Sequence, residues 1–209
     1  MSETGEFRLP RKGIEKWSRR EFLGGLSATT VAGAVGIPMN EQNKRTTLKM
    51  VQTESLDIGY EETGPESGYP IVLLHGWPYD ARSYDDVRGP LADAGYRVVV
   101  PYLRCFGPTI FRTAEIFRSG QQSAFGKDII DLMDALKIEK AVLVGYDWGG
   151  RGACVAAALW PERVAGLLSM QGYTILDIAK LSTTPGDVTS IHHQWYRWYM
   201  NLSLGATLL

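Results

Sequence analysis

The chain has 209 residues, of which 44% are hydrophobic and 22% charged, with a formal net charge of −1. These are the proportions of an ordinary globular protein, and the balance of charge supplies no basic surface for nucleic acid. Two cysteines (Cys105, Cys154) and three histidines (His75, His192, His193) are too few, and wrongly spaced, for a disulfide framework or a metal site. No metal or cofactor is expected, and the cysteines are expected to sit apart as small residues in or near the core.

Residues 1–45 read differently from the rest. Ser18-Arg19-Arg20-Glu21-Phe22-Leu23 resembles a twin-arginine export signal, with Lys12 and Lys16 before it and a weakly apolar Gly/Ala-rich run from Gly24 to Ile37 after it. That run is too short to span a bilayer. The resemblance implies the twin-arginine export machinery as a partner and a periplasmic or extracellular location; a basic tail with an Ala/Gly helix is the plainer alternative. Glu41 to Lys49 reads as a polar linker, so residues 46–209 form the expected folded domain.

Leu48–Ser55 and Leu56–Thr63 alternate apolar and polar residues, which predicts two antiparallel strands. Ile71 to Leu74 is a continuous apolar run, as in a central strand covered on both faces. Ser83 to Ala94 places Tyr84, Val87, Leu91 and Ala94 near helical spacing, but Gly89-Pro90 should bend that helix or delay its start. Arg97–Pro101 reads as a strand and 102–119 as a long loop. From Ser123 to Leu136, Phe125, Ile129, Leu132, Met133 and Leu136 share one face of an amphipathic helix. Ala141–Gly145 is a strand, Gly149–Leu159 a helix stopped by Trp160-Pro161, and Val164–Gln171 a further strand. Strands separated by helices mean crossover units and a mainly parallel sheet flanked by helices. His192 to Tyr199 is dense in aromatic residues and reads as a helix that either lines an apolar space or simply packs.

Between strand and helix lies Gly145-Tyr146-Asp147-Trp148-Gly149-Gly150. Gly-x-Asp-x-Gly at such a junction is the spacing of a nucleophile elbow, in which a strained apex residue is lifted above the sheet edge. Small neighbours let strand and helix close on each other. An aspartate at the apex can attack carbon and form a covalent ester; the plainer reading is a helix N-cap. His75-Gly76-Trp77-Pro78 follows the Ile71–Leu74 strand and can aim the Trp77 N–H into the same place. With the Trp148 N–H, it would make an oxyanion hole worth about 3 kcal/mol per donor. His75 itself is expected to tie the turn by hydrogen bonds.

Together with Pro101-Tyr102-Leu103-Arg104-Cys105-Phe106-Gly107, these motifs resemble the α/β-hydrolase superfamily, and within it the epoxide hydrolase and haloalkane dehalogenase branch. The resemblance implies an α/β-hydrolase fold, Asp147 as nucleophile, Trp77 and Trp148 as oxyanion donors, and a small apolar electrophile as substrate. Epoxides are preferred over alkyl halides because the residue after His75-Gly76 is Trp77, where many dehalogenases carry asparagine. The Trp148 indole would face the leaving halide in the dehalogenase case. Members of the branch continue through a helical cap and further strands that carry an acid and a base histidine. Only His192 and His193 follow Asp147, and they fall where the cap would start. The sequence therefore predicts a chain lacking the cap and C-terminal strands, poorly active, with an edge strand at Val164–Gln171. Asn201–Leu209 reads as the tail of a shifted frame, and a non-catalytic hydrolase-like remnant is the rival from outside enzymes.

Overall fold

Seven strands form one mixed sheet in the computed structural model, which describes residues 46–172, 183, 184, 187–193, 195 and 196. The export-signal reading, and most of the aromatic segment after His193, lie outside those residues. In chain order the elements are β1 (Lys49–Gln52), β2 (Leu56–Thr63), β3 (Pro70–Leu74), a 3-10 turn (Ala81–Tyr84), α1 (Asp85–Asp93), β4 (Arg97–Pro101) and β5 (Ile110–Phe111). Then come α2 (Gln122–Ala135), β6 (Ala141–Tyr146), α3 (Asp147–Leu159), β7 (Val164–Met170) and α4 (Val188–His193).

The strands lie in the order β1-β2-β4-β3-β6-β7, with β5 beside the start of β2. β1, β4 and β5 pair with β2 antiparallel, while β4, β3, β6 and β7 run parallel. The alternation of side chains along each strand divides the core in two. Val72, Leu74, Val99 and Leu143 face Phe125, Ile129 and Met133 of α2 and Ala153 and Ala156 of α3. Ile71, Leu73, Val98 and Val100 face Ala81 and Tyr84 on the other side.

This division follows from the crossovers. The connection from β3 to β4 runs one way along the sheet, and the connection from β4 to β6 runs back past β3. Crossovers of one hand that travel in opposite directions must put their helices on opposite faces. The loops leaving the C-terminal ends of β3 and β6 therefore diverge above neighbouring strands, which opens a crevice where α/β sheets bind their ligands. His75 to Pro78 and Asp147 occupy those two strand ends.

Three elements differ from expectation. α1 starts at Asp85, later than the Ser83 of the expected segment, and runs through Pro90. Pro90 deprives the Asp86 carbonyl of its helical partner, but Asp86 is exposed, so the carbonyl is open to solvent. Gly89, with no Cβ to meet the proline ring, relaxes the usual pre-proline clash. The buried face of this region is also not the apolar one expected: Val87 is exposed, whereas Arg88 is buried and paired with Glu61. Within the loop after β4, the two-residue strand β5 pairs Phe111 with Leu56. Cys105 is exposed, contrary to the expected near-core position, while Cys154 is buried; both are free thiols.

Candidate active site

Asp147 begins α3 with φ = +47°, the left-handed region that few non-glycine residues occupy. Aspartate tolerates this conformation better than most residues, and the surrounding structure holds it there. The turn is held by close packing. A Cβ on Gly149 would stand 2.2 Å from the Leu74 carbonyl oxygen and 2.4 Å from that of His75. A Cβ on Gly76 would stand 2.6 Å from the Asp147 Cβ. The elbow and the loop after β3 thus touch through glycines, and the two strand ends are brought within hydrogen-bond reach.

That reach is used. The Trp77 N–H donates to Asp147 Oδ1 at 3.0 Å. Among the described residues no ion pair engages Asp147 and no donor holds Oδ2, and the side chain is only half-buried. One oxygen is oriented by the Trp77 amide and the other is unengaged among the described residues. The Trp148 amide lies in the first turn of α3, where backbone N–H groups have no intrahelical acceptor. The Trp148 ring stacks on Phe125, centroids 5.2 Å apart, with the Arg151 guanidinium 4.6 Å from the ring centre. Asp147, Trp77 and Trp148 therefore occupy adjoining positions, and a direct bond joins the first two.

The loop that carries Trp77 is tied down from several sides. His75 is fully buried: its Nε2 accepts the Leu103 N–H at 3.0 Å and its Nδ1 faces the Gly76 carbonyl at 3.3 Å. An acceptor Nε2 requires the neutral ring, and burial pushes the His75 pKa below its ordinary value against smaller opposing effects of Gly76, Asp80 and Tyr79. The Phe106 ring meets it edge-on at 4.9 Å. His75 is thus the structural tie between the loops after β3 and β4, as its sequence position suggested. The Tyr84 hydroxyl donates to the Leu74 carbonyl at 2.9 Å, and burial raises its pKa. Behind them, buried Glu61 accepts from Arg82, Arg88 and the Tyr102 hydroxyl. Arg104 forms a two-point ion pair with Asp128, at 2.6 and 2.7 Å, which fastens the loop after β4 to α2. Burial raises the Asp128 pKa, and Arg104 opposes that rise.

Sequence reasoning missed three features. Ser83 and the Tyr146 hydroxyl lie 2.9 Å apart, which links the 3-10 turn to the residue before the elbow apex. An open cleft of about 360 Å³ lies along the same loop, lined by Pro78, Tyr79, Asp80, Arg82 and Ser83. Asp147 is not among its lining residues. Third, the Trp77 ring stacks on Tyr196. The aromatic density after His192 was the signal for this last contact, although it did not name a partner. His192 and His193 are exposed, and among the described residues no hydrogen bond or ion pair joins either to Asp147.

The fold and the strand-end geometry define an α/β protein with an aspartate held in the left-handed region at a strand-to-helix turn. A family model described as alpha/beta hydrolase fold matches residues 69–203, and the chain belongs to that family. It is 34% identical over 129 residues to epoxide hydrolase A of Mycobacterium tuberculosis, covering 59% of this chain and 38% of that protein. It is 31% identical over 147 residues to the haloalkane dehalogenase of Mycobacterium marinum, covering 68% of this chain and 45% of that one. A crystal structure from Klebsiella pneumoniae, provisionally described as an epoxide hydrolase, superposes with a TM-score of 0.71 and 45% identity over 76% of this chain and 52% of that one. The chain thus spans less than half of those two relatives and about half of the solved chain.

Proposed function

We propose that this chain carries an aspartate-nucleophile hydrolase site that opens epoxides through a covalent alkyl-enzyme ester. The observation that carries the reading is the state of Asp147: strained at the elbow apex, with Oδ1 bonded to the Trp77 amide and Oδ2 left to attack. In the first step Oδ2 bonds to an epoxide carbon, the ring C–O bond breaks, and the departing oxygen takes a proton from solvent, which the second step returns. In the second step water adds to the ester carbonyl and the diol leaves with the carboxylate restored. The Trp77 amide already points at the oxygen that becomes the oxyanion, and the Trp148 amide is the second donor in this scheme. Each is worth about 3 kcal/mol of transition-state stabilisation.

General-base assistance to the second step is worth roughly 10² to 10⁴ in rate. Among the described residues no hydrogen bond or ion pair joins His192 or His193 to Asp147. The substrate is a small apolar electrophile, and the twin-arginine-like leader makes it an exported enzyme in this reading. The haloalkane dehalogenase relative supplies the second reading, in which a halide leaves instead of the epoxide oxygen. Incubation with styrene oxide and, separately, with 1-bromobutane separates them. Diol or epoxide adduct without bromide release supports the first reading, and bromide release supports the second. Equal reactivity of Asp147→Asn with both compounds refutes the nucleophile.

A further inference from the structure

Tyr146 is the last residue of β6 and stands next to Asp147. Its side chain meets the loop after β3 at two places. Close to the strand its ring lies against Gly76, where an added Cβ would stand 2.9 Å from the Tyr146 Cε2. At its tip the Tyr146 hydroxyl is 2.9 Å from the Ser83 hydroxyl, at the other end of the same loop. We propose that Ser83 and Tyr146 are positioning residues: their hydroxyl bond keeps the loop and the elbow in register, and so keeps the Trp77 amide aimed at Asp147 Oδ1. The catalytic consequence rests on the proposed role of Asp147, while the mechanical part rests on these contacts alone.

The bond from Trp77 to Asp147 joins two bodies, the loop after β3 and the strand-to-helix turn after β6. The loop is well held within itself and on the sheet. The His75 ring bonds to its backbone at Gly76 and Tyr79, the Ser83 N–H donates to the Asp80 carbonyl at 3.1 Å, and Arg82 pairs with Glu61. Near the sheet the two bodies meet through Gly149, which packs on the Leu74 and His75 carbonyls. The Ser83–Tyr146 bond joins them again farther out, and two separated joints resist a rocking motion that one permits. The Tyr146 ring is stiff enough to carry this restraint from tip to base. Beside it lies the Tyr84 ring, centroids 6.1 Å apart, itself fixed by its hydroxyl on the Leu74 carbonyl. An oxyanion donor acts only when it is held on its oxygen, so rocking of the loop against the elbow would cost rate. A neutral hydrogen bond is strong enough that its loss should loosen the joint roughly two- to tenfold. Ser83 is exposed, so its truncation removes the bond without opening the core. Phenylalanine at 146 removes the same bond from the other side and keeps the ring.

The test uses the full chain as wild type, Ser83→Ala, Ser83→Thr, Tyr146→Phe and the Ser83→Ala/Tyr146→Phe double variant. Residue-resolved amide exchange by NMR is expected to be roughly two- to tenfold faster at Trp77 in Ser83→Ala and in Tyr146→Phe. The double variant should be no faster than either single one, because both remove one bond. Ser83→Thr keeps the hydroxyl and should stay near wild type, with the amides of β3 and β6 unchanged throughout. Unchanged exchange at Trp77 in both single variants, multiplied effects in the double variant, or a uniform rise across β3 and β6 overturns the proposal; a uniform rise is what a merely structural role would give. The same forms are then treated with styrene oxide and the rate of ester formation on Asp147 is followed. A several-fold slower rate in Ser83→Ala and Tyr146→Phe, restored in Ser83→Thr, extends the positioning to the chemistry. Equal rates in all forms refute that extension. Absence of any ester in wild type, with the exchange difference intact, sinks the Asp147 reading and leaves the positioning standing.

Discussion

Gly149→Ala should be among the most damaging single-methyl additions in the molecule. The added carbon would lie 2.2 Å from the Leu74 oxygen and 2.4 Å from the His75 oxygen. Both obstacles are backbone atoms at the end of β3, so neither can swing aside as a flexible side chain would. Relief requires α3 to move off β3, which also separates Asp147 from the Trp77 amide. Overpacking costs about 1–3 kcal/mol in ordinary cores, and two rigid contacts place this one near the top, about 3 kcal/mol. In a domain of this size that corresponds to a fall in Tm of roughly 6–12 °C. The control is Gly120→Ala, where nothing lies within 4 Å of the new carbon. That change should be neutral or stabilise by about 0.4–1 kcal/mol, by restricting the unfolded chain. Urea unfolding of the two variants beside wild type measures both effects. A Gly149→Ala variant within about 0.5 kcal/mol of wild type would refute the close-packed elbow.

Three other outcomes follow from the same contacts. His75→Gln, which disturbs the acceptor for the buried Leu103 N–H, should lose about 1–3 kcal/mol in denaturant titration. Because the His75 pKa is lowered on folding, the unfolded chain binds its proton first; the stability from neutral His75 is full above about pH 6.5 and falls as pH drops below it. A titration of unfolding free energy between pH 7.5 and pH 5 that shows less pH dependence in His75→Gln supports this, and identical slopes oppose it. Asp128→Ala strands the buried Arg104 charge and should cost about 3–5 kcal/mol, measured by urea unfolding, whereas Phe117→Ser, on a side chain 84% exposed, should stay within about 0.5 kcal/mol.

The parts of this molecule that sequence made legible are those in which a short run of residues sets its own environment. The Ile71–Leu74 run announces a strand covered on both faces, and Gly145-x-Asp147-x-Gly149 announces the elbow, because each constraint acts between chain neighbours. The α2 face from Phe125 to Leu136 is legible for the same reason. What sequence concealed depends on partners far along the chain. Nothing in the sequence marks Glu61 and Arg88 as partners; the fold brings β2 and α1 together and buries both. Val87 fits the helical period of the expected apolar face, yet Arg88 occupies the buried position because Glu61 waits beneath it. β5 is two residues long and shows no alternation to detect; it exists because Leu56 and Asp57 offer an edge. The Trp77–Tyr196 stack is of the same kind, since aromatic density marks one side of a contact and never its partner.

The most direct measurement of the central claim is the mass of the full-length chain after incubation with styrene oxide. A single added epoxide that maps to the peptide containing Asp147, and is missing from Asp147→Asn, is the predicted result. Folded protein that gains no mass, or gains it equally in Asp147→Asn, would contradict the assignment of that carboxylate as the attacking group.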